Sequence, residues 1–174
     1  MSDKNTHPIG KFEYGKTHSA TETQAHIKII EALPTRLNSI AKDLTPSLLK
    51  KSYREGGWNA QQIIHHIADS HSNALIRVKL TLTEDSPVIK PYNQDAWAVL
   101  ADVENTSIYV SIKMIEAIHA RWTAVLKAMT ETDLKRKYIH PEYKKEFMLE
   151  ELIALYSWHG DHHCEQLKVI LNNG

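Results

Sequence analysis

The chain of 174 residues carries a single cysteine, Cys164, so no internal disulfide can staple it. That scarcity suits a reducing compartment, and a cytoplasmic location is expected. No apolar run approaches the roughly 20 residues that cross a bilayer. The first residues, Met1-Ser2-Asp3-Lys4-Asn5, also lack the apolar core of a signal peptide, so no membrane association is expected. Net charge is absent too: lysine plus arginine equals aspartate plus glutamate at 21 each. A balanced chain has no general attraction to polyanions, and nucleic acid is not an expected partner. Internal repeats and low-complexity segments are missing. Histidine is what the chain holds in plenty: 11 residues, with no run of six that a purification tag would leave. The length suits one domain with a real core, spanning residues 1–174.

Apolar periodicity then sets the class. Residues 1–19 lack a clear period and hold Pro8, Gly10 and Gly15, which predicts an extended N-terminal arm lying on the domain. From Thr21, the residues Ile27, Ile30, Leu33, Leu37, Ile40 and Leu44 keep a helical period. Pro34 removes a backbone donor within it, so a kink or break is expected near Leu33. Thr45-Pro46 predicts a short capped turn through Leu49. Gly56-Gly57 is a loop. Asn59 followed by Gln62 is a capping-box pattern, opening a second long helix to about Thr83. Pro87 and Pro91 make residues 84–93 a loop, and Asn93 caps a short helix through Leu100. A third long helix is expected from about Thr106 to Met129, and a fourth from about Leu149 to Leu171. Between them, Tyr138-Ile139-His140 and Glu146-Phe147-Met148 flank a turn and suggest a small hairpin. The expected fold is therefore all-α: a four-helix bundle with short extra helices and a small hairpin.

The chemistry concentrates in Trp158-His159-Gly160-Asp161-His162-His163. His159 and His163 stand four apart on a helix, so their side chains stack on one face and can share a metal ion. They lie in a stripe with Leu152, Tyr156, Leu167 and Ile170 that should face the core. A buried imidazole needs a hydrogen bond or a metal. His162 stands beside His163 and offers a competing pair with His159; helical angles separate the two choices too little to decide. On the second long helix, His66 offers a third ligand. It shares a polar line with Gln62, Ser70, Asn73 and Arg77, bordering the apolar stripe. Three imidazoles from two helices would leave positions open, as in a catalytic rather than a closed site. Arg77 lies about three turns away, roughly 16 Å along the axis. It suits an anionic substrate group or a carboxylate on a neighbouring helix. Asn73, His71, His140 and His162 are candidates for the pocket or for support behind the ligands, as is His119, each set against an ordinary packing role. Trp58, Trp97, Trp122 and Trp158 read as core, and Cys164 as packing.

The run from Gly56 to His71, Gly-Gly-Trp-Asn-Ala-Gln-Gln-Ile-Ile-His-His-Ile-Ala-Asp-Ser-His, resembles the YfiT-like metal-dependent hydrolases of the DinB superfamily. Pro8-Ile9-Gly10-Lys11-Phe12, Ile76-Arg77-Val78-Lys79-Leu80, His119-Ala120-Arg121-Trp122, His140-Pro141 and Trp158-His159 carry the same likeness, which spans nearly the whole chain. The resemblance implies a four-helix bundle with a three-histidine metal site, and a homodimer. It implies that the first ligand follows the helix-opening tryptophan by eight residues, which selects His66 over His65. It implies His159 and His163 as the other two ligands. One divalent metal ion per subunit is expected, zinc or nickel.

Two reactions on a small-molecule substrate fit such a site. A metal-dependent hydrolase would activate water. A thiol S-transferase, acting with a thiol of the bacillithiol type, would hold a thiolate and direct it at an electrophile. The motif lacks the glutamate that follows the first histidine in His-Glu-x-x-His proteases, so no general base is evident. In a third reading, the metal or pocket is structural and the protein only binds.

Overall fold

The computed structural model describes residues 6–173, and residues 1–5 of the expected arm lie outside the described residues. Ser19 opens the first helix, α1 (Ala20–Ala41), with a complete capping box to Glu22. Pro34 sits inside α1 and the helix runs through it without the break that was one of the two expected outcomes. The reason lies across the bundle. Proline has no N–H to give the carbonyl four residues back, which is that of Ile30. His119 Nδ1 lies 2.7 Å from that same carbonyl and takes the vacant place.

Thr45 caps the short α2 (Pro46–Leu49), with Pro46 at its first position. Asn59 and Gln62 form the expected capping box on α3 (Ala60–Thr83). Asn93 caps α4 (Gln94–Trp97). This turn is shorter than expected, and a separate turn, α5 (Ala101–Asn105), follows it. Ser107 then caps α6 (Ile108–Lys127). Another short turn, α7 (Glu131–Leu134), carries a Thr130–Asp133 capping box that the sequence reading passed over. Strands β1 (Lys137–His140) and β2 (Lys145–Met148) pair antiparallel, with Tyr138 opposite Phe147. The last helix, α8 (Leu149–Asn172), follows directly.

The four long helices make the bundle. α1 packs chiefly on α8 and α6, and α3 packs chiefly on α6 and α8, so α1 and α3 occupy one diagonal. The hairpin closes one end. Arg136 holds it there by donating from Nε to the Thr81 carbonyl at 2.7 Å and from Nη2 to the Glu84 carbonyl at 2.9 Å. These are the end carbonyls of α3, where a cation is favoured. The loop before α4 runs beside β1, with Ile89 N–H donating to the Ile139 carbonyl at 3.0 Å.

Two apolar clusters fill the bundle. One joins Leu37, Ile63, Ile67, Ile112, Leu167 and Ile170. The other joins Ile27, Val78, Trp122, Phe147, Leu152 and Tyr156. A polar layer separates them on three helices: His71 on α3, His119 on α6 and His159 on α8. Gly160 lets α8 approach α1 beside this layer. A Cβ at that position would stand 2.7 Å from Leu33 Cδ2. Gly160→Val is expected to destabilise the fold by about 2 kcal/mol through overpacking. A urea midpoint at or above that of the native chain would contradict it. Among the described residues, no helix is long and apolar enough to cross a membrane.

Candidate metal centre

His66 projects from α3, and His159 and His163 from α8, into one small volume. One ligating nitrogen from each lies within 4.8 Å of the others. His159 Nε2 stands 3.1 Å from His66 Nε2 and 3.2 Å from His163 Nε2. Tetrahedral coordination with zinc–nitrogen bonds of ordinary length would separate the nitrogens by about 3.3 Å. The spacing fits a shared ion.

Hydrogen bonds at the far side of two rings sharpen that fit. The Ile30 carbonyl can only accept, so His119 Nδ1 carries the proton and donates to it at 2.7 Å. Burial pushes His119 down to about 4, so it is neutral and its Nε2 must accept. His71 Nδ1 donates to that nitrogen at 2.8 Å. His71 Nε2 must then accept from His159 Nδ1, at 3.1 Å. The proton of His159 is thus placed on Nδ1, and its Nε2 lone pair faces the cluster. His163 Nδ1 donates to Gln166 Oε1 at 2.8 Å, which leaves the His163 Nε2 lone pair facing the cluster as well. Two lone pairs held 3.2 Å apart repel each other unless a cation lies between them.

The protonation states agree. Burial first, then the nearby His162, pushes His66 down to about 4. Burial and the neighbouring imidazoles hold His71, His159 and His163 well below the ordinary range. The cluster is therefore neutral at pH 7, the form that ligates metal. The sign of the pH dependence follows. These groups bind fewer protons folded than unfolded, so their stabilising contribution is complete above about 6.5, the unfolded value. It is lost as pH falls from there towards the folded values near 4. Each proton adds a slope of about 1.4 kcal/mol per pH unit. Urea midpoints of the metal-free chain are expected to fall steeply across that window; a flat profile would show that the histidines are not buried neutral.

The cluster opens into a cavity of about 780 Å³. Trp58 and Trp158 line it, and Trp58 also packs against the first apolar cluster; the Trp58 ring centroid lies 4.6 Å from that of His66. Only Trp122 is fully buried, and Trp97 is exposed. Arg77, His140 and His162 also line the cavity. His162 stacks on Trp158 with centroids 4.6 Å apart, so its ring lies outside the cluster. His71 is buried behind His159, in the polar layer. Asn73 is not among the lining residues, contrary to expectation. Its Nδ2 bonds back to the Asp69 carbonyl at 2.9 Å, which folds the amide onto its own helix. His65 turns to α6, with Nδ1 2.7 Å from Ser111 Oγ. Asp161 faces away and pairs with Arg36 on α1 at 2.5 Å. Cys164 is buried, and burial pushes its thiol up to about 11, as suits packing.

Sequence reading missed several residues of this cavity. Gln166, three residues after His163, was discoverable as a helical neighbour. Tyr92, Tyr138 and Glu151 were not, because the hairpin and its flanking loop bring them in. The arm contributes too: Gly15 N–H donates to Glu151 Oε1 at 2.6 Å, and Gln166 Nε2 donates to the Thr6 carbonyl at 3.4 Å.

Fold and site together define a four-helix-bundle protein with a buried three-histidine cluster of metal-binding geometry at the foot of an open cavity. The chain belongs to the DinB superfamily, whose family model matches residues 29–167. A relative from Halalkalibacterium halodurans is 44% identical over 167 residues, covering 96% of each chain. YfiT from Bacillus subtilis is 38% identical over 162 residues, covering 93% of this chain and 91% of its own. Both carry the provisional name metal-dependent hydrolase. The solved structure of YfiT, described as a probable metal-dependent hydrolase with an unusual four-helix bundle topology, superposes with a TM-score of 0.94 at 35% identity. That superposition covers 98% of this chain and 97% of the other.

Proposed function

We propose that this chain is a metal-dependent hydrolase of a small-molecule substrate. In this reading His66, His159 and His163 hold one divalent ion, zinc or nickel. The observation that supports it most is the His159 Nε2 atom standing 3.1 Å from His66 Nε2 and 3.2 Å from His163 Nε2, with the His159 and His163 lone pairs turned inward by their own hydrogen bonds. The relatives' names point the same way. When bound, such an ion supplies Lewis acidity and a nucleophile usable at neutral pH. The chain's own residues do the rest. His71 and His119 keep the His159 proton on Nδ1, and Gln166 keeps the His163 proton on Nδ1. Trp58 and Trp158 wall the cluster. The open cavity admits substrate on one side only, since the polar layer behind His159 is buried.

A thiol S-transferase is the second reading, and one feature favours it. Among the described residues, no carboxylate joins the cluster to serve as a general base. A thiolate held at the metal would need none. One assay separates the two. A panel of esters and amides is offered to metal-loaded protein with and without a low-molecular-weight thiol. Turnover without thiol, lost in His163→Ala, is the result expected of the hydrolase. Strict dependence on thiol would overturn it in favour of transfer. We also propose that the protein works in the cytoplasm as a homodimer; elution from a sizing column at the mass of one 19.9 kDa chain would contradict the dimer.

A further inference from the structure

Arg77 is a charged group on the cavity wall for which neither metal binding nor packing accounts. It lies on α3, on the face that carries His66, and lines the same cavity. Its Nη1 makes one long hydrogen bond, donating to the Tyr156 hydroxyl at 3.4 Å. Its Nε is buried and has no partner. Among the described residues it forms no ion pair with a carboxylate. The residue as a whole is half-buried, but a buried Nε–H donor without an acceptor is costly. The Nε edge of the fork is also the edge that receives an oxyanion in two parallel bonds.

A second orphan lies at the same end. His140 Nδ1 is buried and unpartnered, and the Arg77 charge acts on its ring. Tyr92, Tyr138 and Tyr156 line the same cavity. Burial pushes Tyr92 up to about 12, so its hydroxyl keeps its proton and can donate. Three carboxylates share the cavity, Asp95, Glu142 and Glu151, and Asp95 is exposed on α4. Glu142 is exposed on the hairpin turn, and Glu151 is held by the Gly15 N–H at 2.6 Å.

We propose that Arg77 and His140 form an oxyanion subsite, and that the substrate carries a carboxylate or phosphate group at the end remote from the bond attacked. This rests on the hydrolase reading for the meaning of substrate, but not for the subsite itself. Arg77 follows His66 by eleven positions, about 16 Å along the helix. Its side chain leans back towards the N-terminus, so the span a substrate must bridge is on the order of 10 Å. That excludes the smallest esters and amides as full substrates and favours an elongated molecule with one anionic end.

The test reads Arg77 directly and needs no turnover. Full-length protein, with its metal as purified, is titrated with acetate and separately with inorganic phosphate. The arginine Nε–H signals are followed by proton–nitrogen NMR, and binding is measured by calorimetry beside Arg77→Met and Arg77→Lys. The expected result is a saturable shift of the Arg77 Nε–H with at least one probe, acetate marking a carboxylate and phosphate a phosphate group. Affinity for that probe should fall about tenfold or more in Arg77→Met and less in Arg77→Lys. No saturable shift with either probe would overturn the subsite. Calorimetric binding that Arg77→Met leaves unchanged would also overturn it, because the anion would then sit at the metal cluster. Failure of the hydrolase reading would appear in the thiol-free assay instead, so the two are separable.

Discussion

His159→Ala is expected to leave the purified protein with almost no bound metal. His159 Nε2 is the atom nearest both other ligands, at 3.1 Å from His66 and 3.2 Å from His163. Its loss removes one of three protein ligands, the one within 3.2 Å of both others. Affinity for zinc or nickel should fall about 100-fold or more, read by competition with a chelator. His66→Ala and His163→Ala should behave alike, which would establish one site shared by α3 and α8. His162→Ala and His65→Ala should keep the metal. The first is stacked on Trp158 and the second faces Ser111. If His162→Ala lost the metal and His163→Ala kept it, the ligand assignment would be wrong. If the native chain took up no metal at all, the hydrolase and transferase readings would both lose their chemistry.

How much of this was legible in the sequence differs from residue to residue, for physical reasons. The helices that carry the site were readable because their signals are local. Asn59-x-x-Gln62 fixes where α3 begins, and the stripe from Leu152 to Ile170 fixes which face of α8 is buried. Once both are set, His66, His159 and His163 fall near the bundle axis. The choice of His163 over His162 was not readable from angle alone. The structure separates them by what each ring meets: Trp158 for His162, and Gln166 and the cluster for His163. Of the kink or break expected at Pro34, no break occurs, because the consequence of the residue is tertiary. A proline in a helix predicts a break only when the freed carbonyl finds nothing better, and here it finds His119. The cavity wall was the least legible part. Tyr92 and Tyr138 arrive from a proline-rich loop and a hairpin whose placement depends on Arg136 and the end of α3. No periodicity encodes that. Asn73 failed for the opposite reason: the period placed it on the right face, but its own helix captured its amide.

His119→Phe is expected to weaken metal binding although residue 119 touches no ligand. In the native chain the Ile30 carbonyl fixes the proton of His119, His119 fixes that of His71, and His71 fixes that of His159. Pro34 supports the chain of bonds, because no N–H of α1 competes for the Ile30 carbonyl. Phenylalanine fills much the same volume but cannot accept from His71 Nδ1. His71 is then free to reverse its tautomer, and His159 can place its proton on Nε2, facing the metal position. Metal affinity should fall about 10- to 100-fold, as for partners behind metal-bound histidines elsewhere. Stability should fall as well, by about 1–3 kcal/mol, for the unpaired Ile30 carbonyl. The two effects need separating. His119→Gln offers Oε1 as an acceptor to His71 and should keep most of the affinity. Leu126→Ala removes packing from the same helix without touching the bonds, and should lower stability by about 2–5 kcal/mol with metal affinity unchanged. Nitrogen NMR of His159 gives the direct reading: a single Nδ1–H tautomer in the native chain and in His119→Gln, and a mixture in His119→Phe. If His119→Phe binds metal as tightly as the native chain, the bonds from Ile30 to His159 hold the bundle together but do not aim the ligand.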